Sequence, residues 1–93
     1  MKVAVIIPAL NEEKTIKSVI KPCLESELID EIIVVSDGST DKTVEVARDT
    51  GVKVIELKEN IGKAGALITG VKNTDADILL LSLIHISEPT RPY

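Results

Sequence analysis

Three short polar stretches hold most of the residues whose types and spacing could do chemistry. In "SDGSTDKT", residues 36–43, Asp37 places a carboxylate directly after an apolar run, and Gly38 permits a tight turn and close backbone approach. Such an acid could accept a hydrogen bond from the N–H of a base or from ribose hydroxyls. Ser39, Thr40 and Asp41 can cap a following helix, and ordinary turn-and-cap chemistry accounts equally well for the stretch taken alone. In "IIPALNEEKTI" an apolar run closes at Pro8 and delivers Asn11, Glu12 and Glu13 just beyond it. A helix capped by Asn11, with an acidic first turn, is the plain reading of that stretch. In "ENIGKAGAL" Gly62, Lys63 and Gly65 open a helical pattern, where free backbone N–H groups attract anions and Lys63 adds charge. Its spacing matches neither G-x-G-x-x-G nor a Walker A loop, so packing explains the glycines by default.

These stretches need a frame that carries them to one edge. "KVAVIIP" and "DEIIVVS" are near-continuous β-branched runs, the composition of strands buried on both faces of a parallel sheet. "VKVIEL" is a third strand and "DADILLL" opens a fourth. Between the first two, Ile16, Val19, Ile20, Cys23 and Leu24 fall at i, i+3, i+4, i+7 and i+8, one helical face, with Pro22 expected to kink or restart the helix. A second helix is expected after Ser39 or Thr40 as cap, stopping at Gly51. A third should turn Ala64, Leu67, Ile68 and Val71 inward. The order β-α-β-α-β-α-β with short connections predicts an α/β fold, an open parallel sheet with helices on both faces and right-handed crossovers. Ligands of such sheets bind beyond the carboxyl ends of the strands, where all three polar stretches lie.

The 93 residues allow one domain with a small core. With 44% hydrophobic and 28% charged residues the chain is globular, and a net charge of −4 without a basic cluster excludes a nucleic-acid surface. One cysteine, Cys23, rules out an intrachain disulfide and fits a reducing, cytoplasmic setting. It reads as a small core residue. No apolar run approaches the ~20 residues of a membrane span. The first strand also lacks the small-residue cleavage site of a signal peptide.

Taken together, "PALNEE", "SDGSTDKT" and "NIGKAG", in this order after strand one, after strand two and before helix three, resemble the N-terminal nucleotide-binding half of a family 2 glycosyltransferase. The resemblance covers residues 1–80 and implies a Rossmann-like, truncated GT-A fold. It implies that the parent moves a sugar from a nucleoside-diphosphate-sugar donor to an acceptor, with inversion. By this resemblance Pro8, Ala9, Asn11 and Glu12 lie against the donor nucleoside, Asp37 bonds the base with Ser39 in the same turn, and Lys63 stands near the ribose or phosphates. Ser36 departs from the pattern, since many members carry Asp there. The family's Asp-x-Asp, which holds Mg²⁺ or Mn²⁺ on the diphosphate, should follow the fourth strand. Asp75 and Asp77 have that spelling but precede the strand, so they read as solvated loop acids. No catalytic residue and no metal ligand is therefore assigned within 1–80. The fragment is expected to be inactive, with the base and acceptor side beyond residue 80 and the fourth strand left as an exposed apolar edge. The acceptor is open among polyprenyl phosphates, polysaccharides and small phosphorylated acids. Membrane attachment, often encoded C-terminally in this family, is not decided, and the cytoplasmic face of a membrane remains open.

Residues 81–93, "LSLIHISEPTRPY", hold the only His, the only aromatic residue and two of the four prolines. They resemble a translated transposon-end adapter from sequencing libraries, joined to a gene fragment within its fourth strand, and are expected to be a non-native tail. A genuine short tail is the alternative, and His85 receives no role in either case. Two other function classes stand beside the transferase. A sugar-phosphate nucleotidyltransferase would carry a Gly-rich, Arg/Lys-bearing loop after strand one, which "PALNEEKT" lacks. A non-catalytic, receiver-like interaction module would cluster acids at the ends of strands one and three, which here end in Pro8 and "IELKEN".

Overall fold

The computed structural model describes residues 1–81. The chain runs β1 (Val3–Ala9), α1 (Ile16–Glu25), β2 (Glu31–Asp37), α2 (Thr43–Asp49), β3 (Lys53–Leu57), α3 (Lys63–Lys72) and β4 (Ile78–Leu81). The four strands are all parallel, in the order β3-β2-β1-β4. Chain direction across the sheet reverses at β1, because β4 returns to its other side. The expected α/β alternation and parallel sheet are what the structure has.

Strand alternation divides the core in two. Val5, Ile7 and Ala9 of β1 and Ile32 and Val34 of β2 pack with Ile16 and Ile20 of α1 and Ala47 of α2. On the opposite face Ile6, Ile33 and Val35 pack with Ala66 of α3. Both faces of the two central strands are thus covered, which is why their sequences are almost uniformly apolar. By contrast, Ile78 to Leu81 of the edge strand β4 are all exposed, between 37% and 52%. The expected bare apolar edge is present.

Several local expectations are corrected. Asn11 does not cap α1. The helix begins at Ile16 with Thr15 in the cap position, after a turn in which the Glu12 carbonyl accepts from the Thr15 and Ile16 N–H groups. Glu12 and Glu13 therefore precede the helix instead of forming its first turn. Pro22 is accommodated within a continuous α1. For α2, neither Ser39 nor Thr40 is the cap, because both are bonded to Asn11 of another loop. Helix α2 starts later, at Thr43, whose N–H reaches the Asp41 carboxylate at 2.9 Å. It ends as expected at Gly51 (φ 90°), whose N–H meets the Arg48 carbonyl.

The inward face of α3 is also different. Ala66 and Gly70 are buried and Leu67 is half-buried, whereas Ala64, Ile68 and Val71 are exposed. The small residues win because the helix lies close on the sheet. A Cβ built on Gly70 would stand 2.5 Å from Ile6 Cγ2, leaving no room there for a larger side chain. Among the described residues no helix is long and apolar enough to cross a membrane. Residues 82–93, and with them most of the expected tail, lie outside the described residues.

Candidate functional site

Parallel pairing puts the carboxyl ends of β1 and β2 side by side, with Pro8 beside Val35 and Ala9 beside Ser36. The loops leaving those ends, and the loop leaving β3, meet above them. Two sets of hydrogen bonds hold the three loops together.

Asp37 makes the first set. It is 4% exposed, and its two carboxylate oxygens accept from the backbone N–H groups of Ile61 at 2.7 Å and Gly62 at 2.9 Å. Bonds to an ionised acceptor are the stronger kind, and here they draw the β3–α3 loop over the end of β2. Gly38 (φ 78°) makes the approach possible. A Cβ there would lie 3.0 Å from the Asn60 nitrogen and 3.1 Å from the Glu59 carbonyl carbon.

The second set joins the β1–α1 loop to the β2–α2 loop. Asn11 stands in the left-handed region at φ 52°, a conformation Asn tolerates better than most residues. Its N–H donates to Ser39 Oγ at 3.0 Å, while its Oδ1 accepts from the Thr40 N–H at 2.8 Å. The next two N–H groups follow suit. That of Glu12 meets Thr43 Oγ1 at 2.8 Å, and that of Glu13 meets Asp41 Oδ2 at 3.3 Å.

The result is a cleft of about 340 Å³ lined by Pro8, Ala9, Leu10, Asp37, Asn60, Gly62 and Lys63. It lies over the carboxyl ends of β1 and β2, at the start of α3. Four of the seven expected site residues, Pro8, Ala9, Asp37 and Lys63, are brought together in its wall. Asn11 and Ser39 are bonded to each other beside it, and Glu12 turns into a neighbouring hollow with Glu13 and Asp41. Leu10, Asn60 and Gly62 complete the wall. The sequence signal for the last two was their place in "ENIGKAG", and Leu10 had none beyond adjacency to Pro8. Ser36 does not line the cleft. It faces the α1/α2 side, fully buried, and its hydroxyl has no hydrogen-bond partner among the described residues. The Cys23 thiol is pushed up by burial, which suits a packing residue and not a reactive thiolate.

The described residues do not fit a divalent cation. They hold no group of three or more His, Cys, Asp or Glu placed to ligate one. Asp75 and Asp77 sit at the amino end of β4, away from the cleft, and both engage Lys2. Lys2 Nζ meets Asp75 at 2.7 Å, and the Lys2 N–H meets Asp77 at 2.8 Å. Asp75 and Asp77 are exposed, but they are partnered.

The sequence model of Glycosyl transferase family 2 matches residues 4–82. The chain is 38% identical over 84 residues to a 4,4'-diaponeurosporenoate glycosyltransferase of Staphylococcus haemolyticus, covering 84% of this chain and 22% of that protein. It is 37% identical over 98 residues to a dolichyl-phosphate beta-glucosyltransferase of Drosophila melanogaster, covering 88% and 30%. Among solved structures, glucosyl-3-phosphoglycerate synthase from Mycobacterium tuberculosis, with Mn²⁺, uridine diphosphate and glucosyl-3-phosphoglycerate bound, superposes with a TM-score of 0.76. The two are 37% identical, over 87% of this chain and 32% of that one. The same enzyme with Mg²⁺ and uridine diphosphate gives a TM-score of 0.74 at 36% identity, over 87% of this chain and 32% of that one. The chain thus spans between 22% and 32% of the length of these proteins.

Proposed function

From a chain that belongs to glycosyl transferase family 2, we propose that residues 1–80 are part of the donor pocket of an enzyme that transfers a sugar from a nucleoside diphosphate. The observation that carries this reading is the cleft itself. A buried acceptor, Asp37, and a cation, Lys63, converge with small and apolar wall residues at the carboxyl end of a parallel sheet. Both Asp37 oxygens already accept one backbone N–H. A carboxylate oxygen has two lone pairs, so capacity remains for the N–H of a base. Lys63 at the start of α3 suits the ribose or phosphates, where charge and helix N–H groups act together. Pro8 and Ala9 supply apolar surface for the nucleoside, Asn11 and Ser39 stand bonded to each other beside the cleft, and Glu12 belongs to the neighbouring hollow from which it would reach the donor only at the edge.

The chemistry of transfer is proposed for the parent alone. Among the described residues no group of three or more His, Cys, Asp or Glu is placed to hold the cation on the leaving diphosphate, and the carboxylate base is placed beyond residue 80. The solved relatives carry uridine diphosphate with Mn²⁺ or Mg²⁺, and by likeness we take a nucleoside-diphosphate sugar with one of these cations for the parent. The acceptor class is left among the phosphorylated acids, polyprenyl phosphates and polysaccharides. A cytoplasmic setting is part of the proposal, supported by the single free thiol. So is the boundary at residue 80, supported by the abrupt change in composition after it.

Titration of ¹⁵N-labelled chain with uridine and guanosine diphosphates tests the reading. Saturable shifts of the Asp37, Gly62 and Lys63 amides are expected. A dispersed, folded spectrum that ignores both nucleotides would sink it.

A further inference from the structure

We propose that Thr43 and Asp41, neither of which lines the cleft, are positioning residues that set the shape of its first loop. The inference deepens the nucleotide-pocket reading and, in its binding arm, rests on it. Short polar residues at a helix start usually serve their own helix. Asp41 does so with one oxygen, which takes the Thr43 N–H. Its other oxygen and the Thr43 hydroxyl serve a different loop.

The three successive N–H groups of Asn11, Glu12 and Glu13 are each received by a side-chain oxygen of the second loop, from Ser39, Thr43 and Asp41. Because Asn11 is left-handed, these N–H groups converge as in an anion-binding nest. The protein fills that concavity with its own Asp41 carboxylate and Thr43 hydroxyl. The Thr43 hydroxyl also donates to Asp41 Oδ1, so the two side chains act as one unit.

Burial makes Thr43 the stronger half of the pair. It is 0% exposed, so water cannot take over as acceptor for the Glu12 N–H when the hydroxyl is removed. The loop so held leaves β1 directly after Ala9 and sets Leu10 in the cleft wall, beside Pro8 and Ala9 at the end of the strand. Its left-handed turn at Asn11 is sparsely populated for a residue with a side chain and persists only if its surroundings hold it. The second-loop hydroxyls and carboxylate are what hold it.

Amide hydrogen exchange and uridine diphosphate titration of the whole chain, in wild type, Thr43→Val and Thr43→Ser, test the proposal. Valine keeps the shape and removes the hydroxyl, whereas serine restores it. In Thr43→Val the Glu12 amide should exchange at least tenfold faster and uridine diphosphate should bind about tenfold more weakly. The amides of Ile33 and Val34 on the central strand β2, paired on both sides, should stay protected, and Thr43→Ser should recover both losses. A general loss of packing would not be rescued by serine or confined to one loop. If Thr43→Val does not fold, Asp41→Ala at a half-buried position gives the same reading at the Glu13 amide. Unchanged Glu12 or Glu13 exchange would overturn the latch. Faster exchange with unchanged affinity would overturn its role in the pocket. A folded wild type that binds no nucleotide would instead overturn the donor-pocket reading, and exchange would then decide the latch by itself.

Discussion

Gly70 of α3 lies so close to Ile6 of β1 that a methyl group on its Cα would stand 2.5 Å from Ile6 Cγ2. Gly70→Ala therefore opposes two effects. Alanine is the better helix former by about 1 kcal/mol. Overpacking against a fully buried isoleucine costs about 1–3 kcal/mol. We expect the second to win, with a lower midpoint of chemical denaturation. A gain in stability would show that α3 can lift off the sheet without loss.

Asp37 ties the β3–α3 loop to β2 by two charge-assisted bonds at a buried position. Asp37→Asn keeps one acceptor and turns an NH₂ group toward the other backbone N–H. The expected loss is about 1–3 kcal/mol in stability, the usual result of leaving a buried donor unpaired. Nucleotide affinity should fall with it. Denaturant unfolding and the nucleotide titration, run on the same samples, read the two effects separately.

Ser36 buries a hydroxyl that has no partner among the described residues. Ser36→Ala removes an unsatisfied polar group at almost no change in volume, so stability should hold or rise by up to about 1 kcal/mol. A clear loss on denaturation would reveal a bond that the buried hydroxyl makes.

Asp41 links pH to the loop latch. Removal from water acts to raise its pKa, but hydrogen bonds from the Thr43 hydroxyl and from the Thr43 and Glu13 N–H groups outweigh this, so the carboxyl titrates below its ordinary value. A group whose folded pKa is depressed adds stability above its unfolded value, about 3.9, and loses it as pH falls through the folded one. Glu12, Glu13 and Lys14 line the same hollow. The Glu13 amide should therefore shift and lose protection below about pH 4 while remaining constant at neutral pH. Asp75, held low by the hydrogen bond from the Lys2 ammonium beside it, is shifted in the same direction at the other end of the sheet, and its own carboxyl ¹³C signal reports it independently. A Glu13 amide that responds only near neutrality would contradict the assignment.

Ile78, Leu79, Leu80 and Leu81 are exposed along β4, whose outer edge has no partner strand among the described residues, a template for further pairing. Concentration-dependent association of the chain is expected by light scattering. Leu80→Lys, at a position 46% exposed, should suppress it without lowering the unfolding midpoint. Monodisperse wild-type chain at high concentration would show that the edge is not adhesive.

By itself, the sequence determined the architecture. Near-continuous β-branched runs such as Val3–Ile7 and Ile32–Val35 have the composition of strands covered on both faces, and the alternation with helical periods required a parallel sheet. It also determined that Asp37, Lys63 and the Pro8 loop belong to one edge, because every strand points the same way. Tertiary structure decided which partner each polar group takes. Asn11, Ser39 and Thr40 have the spelling of helix caps, since cap preference is a local property and the competing N–H donors are 28 and 29 residues away in sequence. The inward face of α3 was decided in the same way. Hydrophobic periodicity favours Ile68 and Val71, but the helix lies so close to the sheet that Ala66 and Gly70 face it directly and Leu67 packs only at the side. Periodicity records what a helix would bury by composition, and only packing against Ile6 and Val35 sets how much space it has.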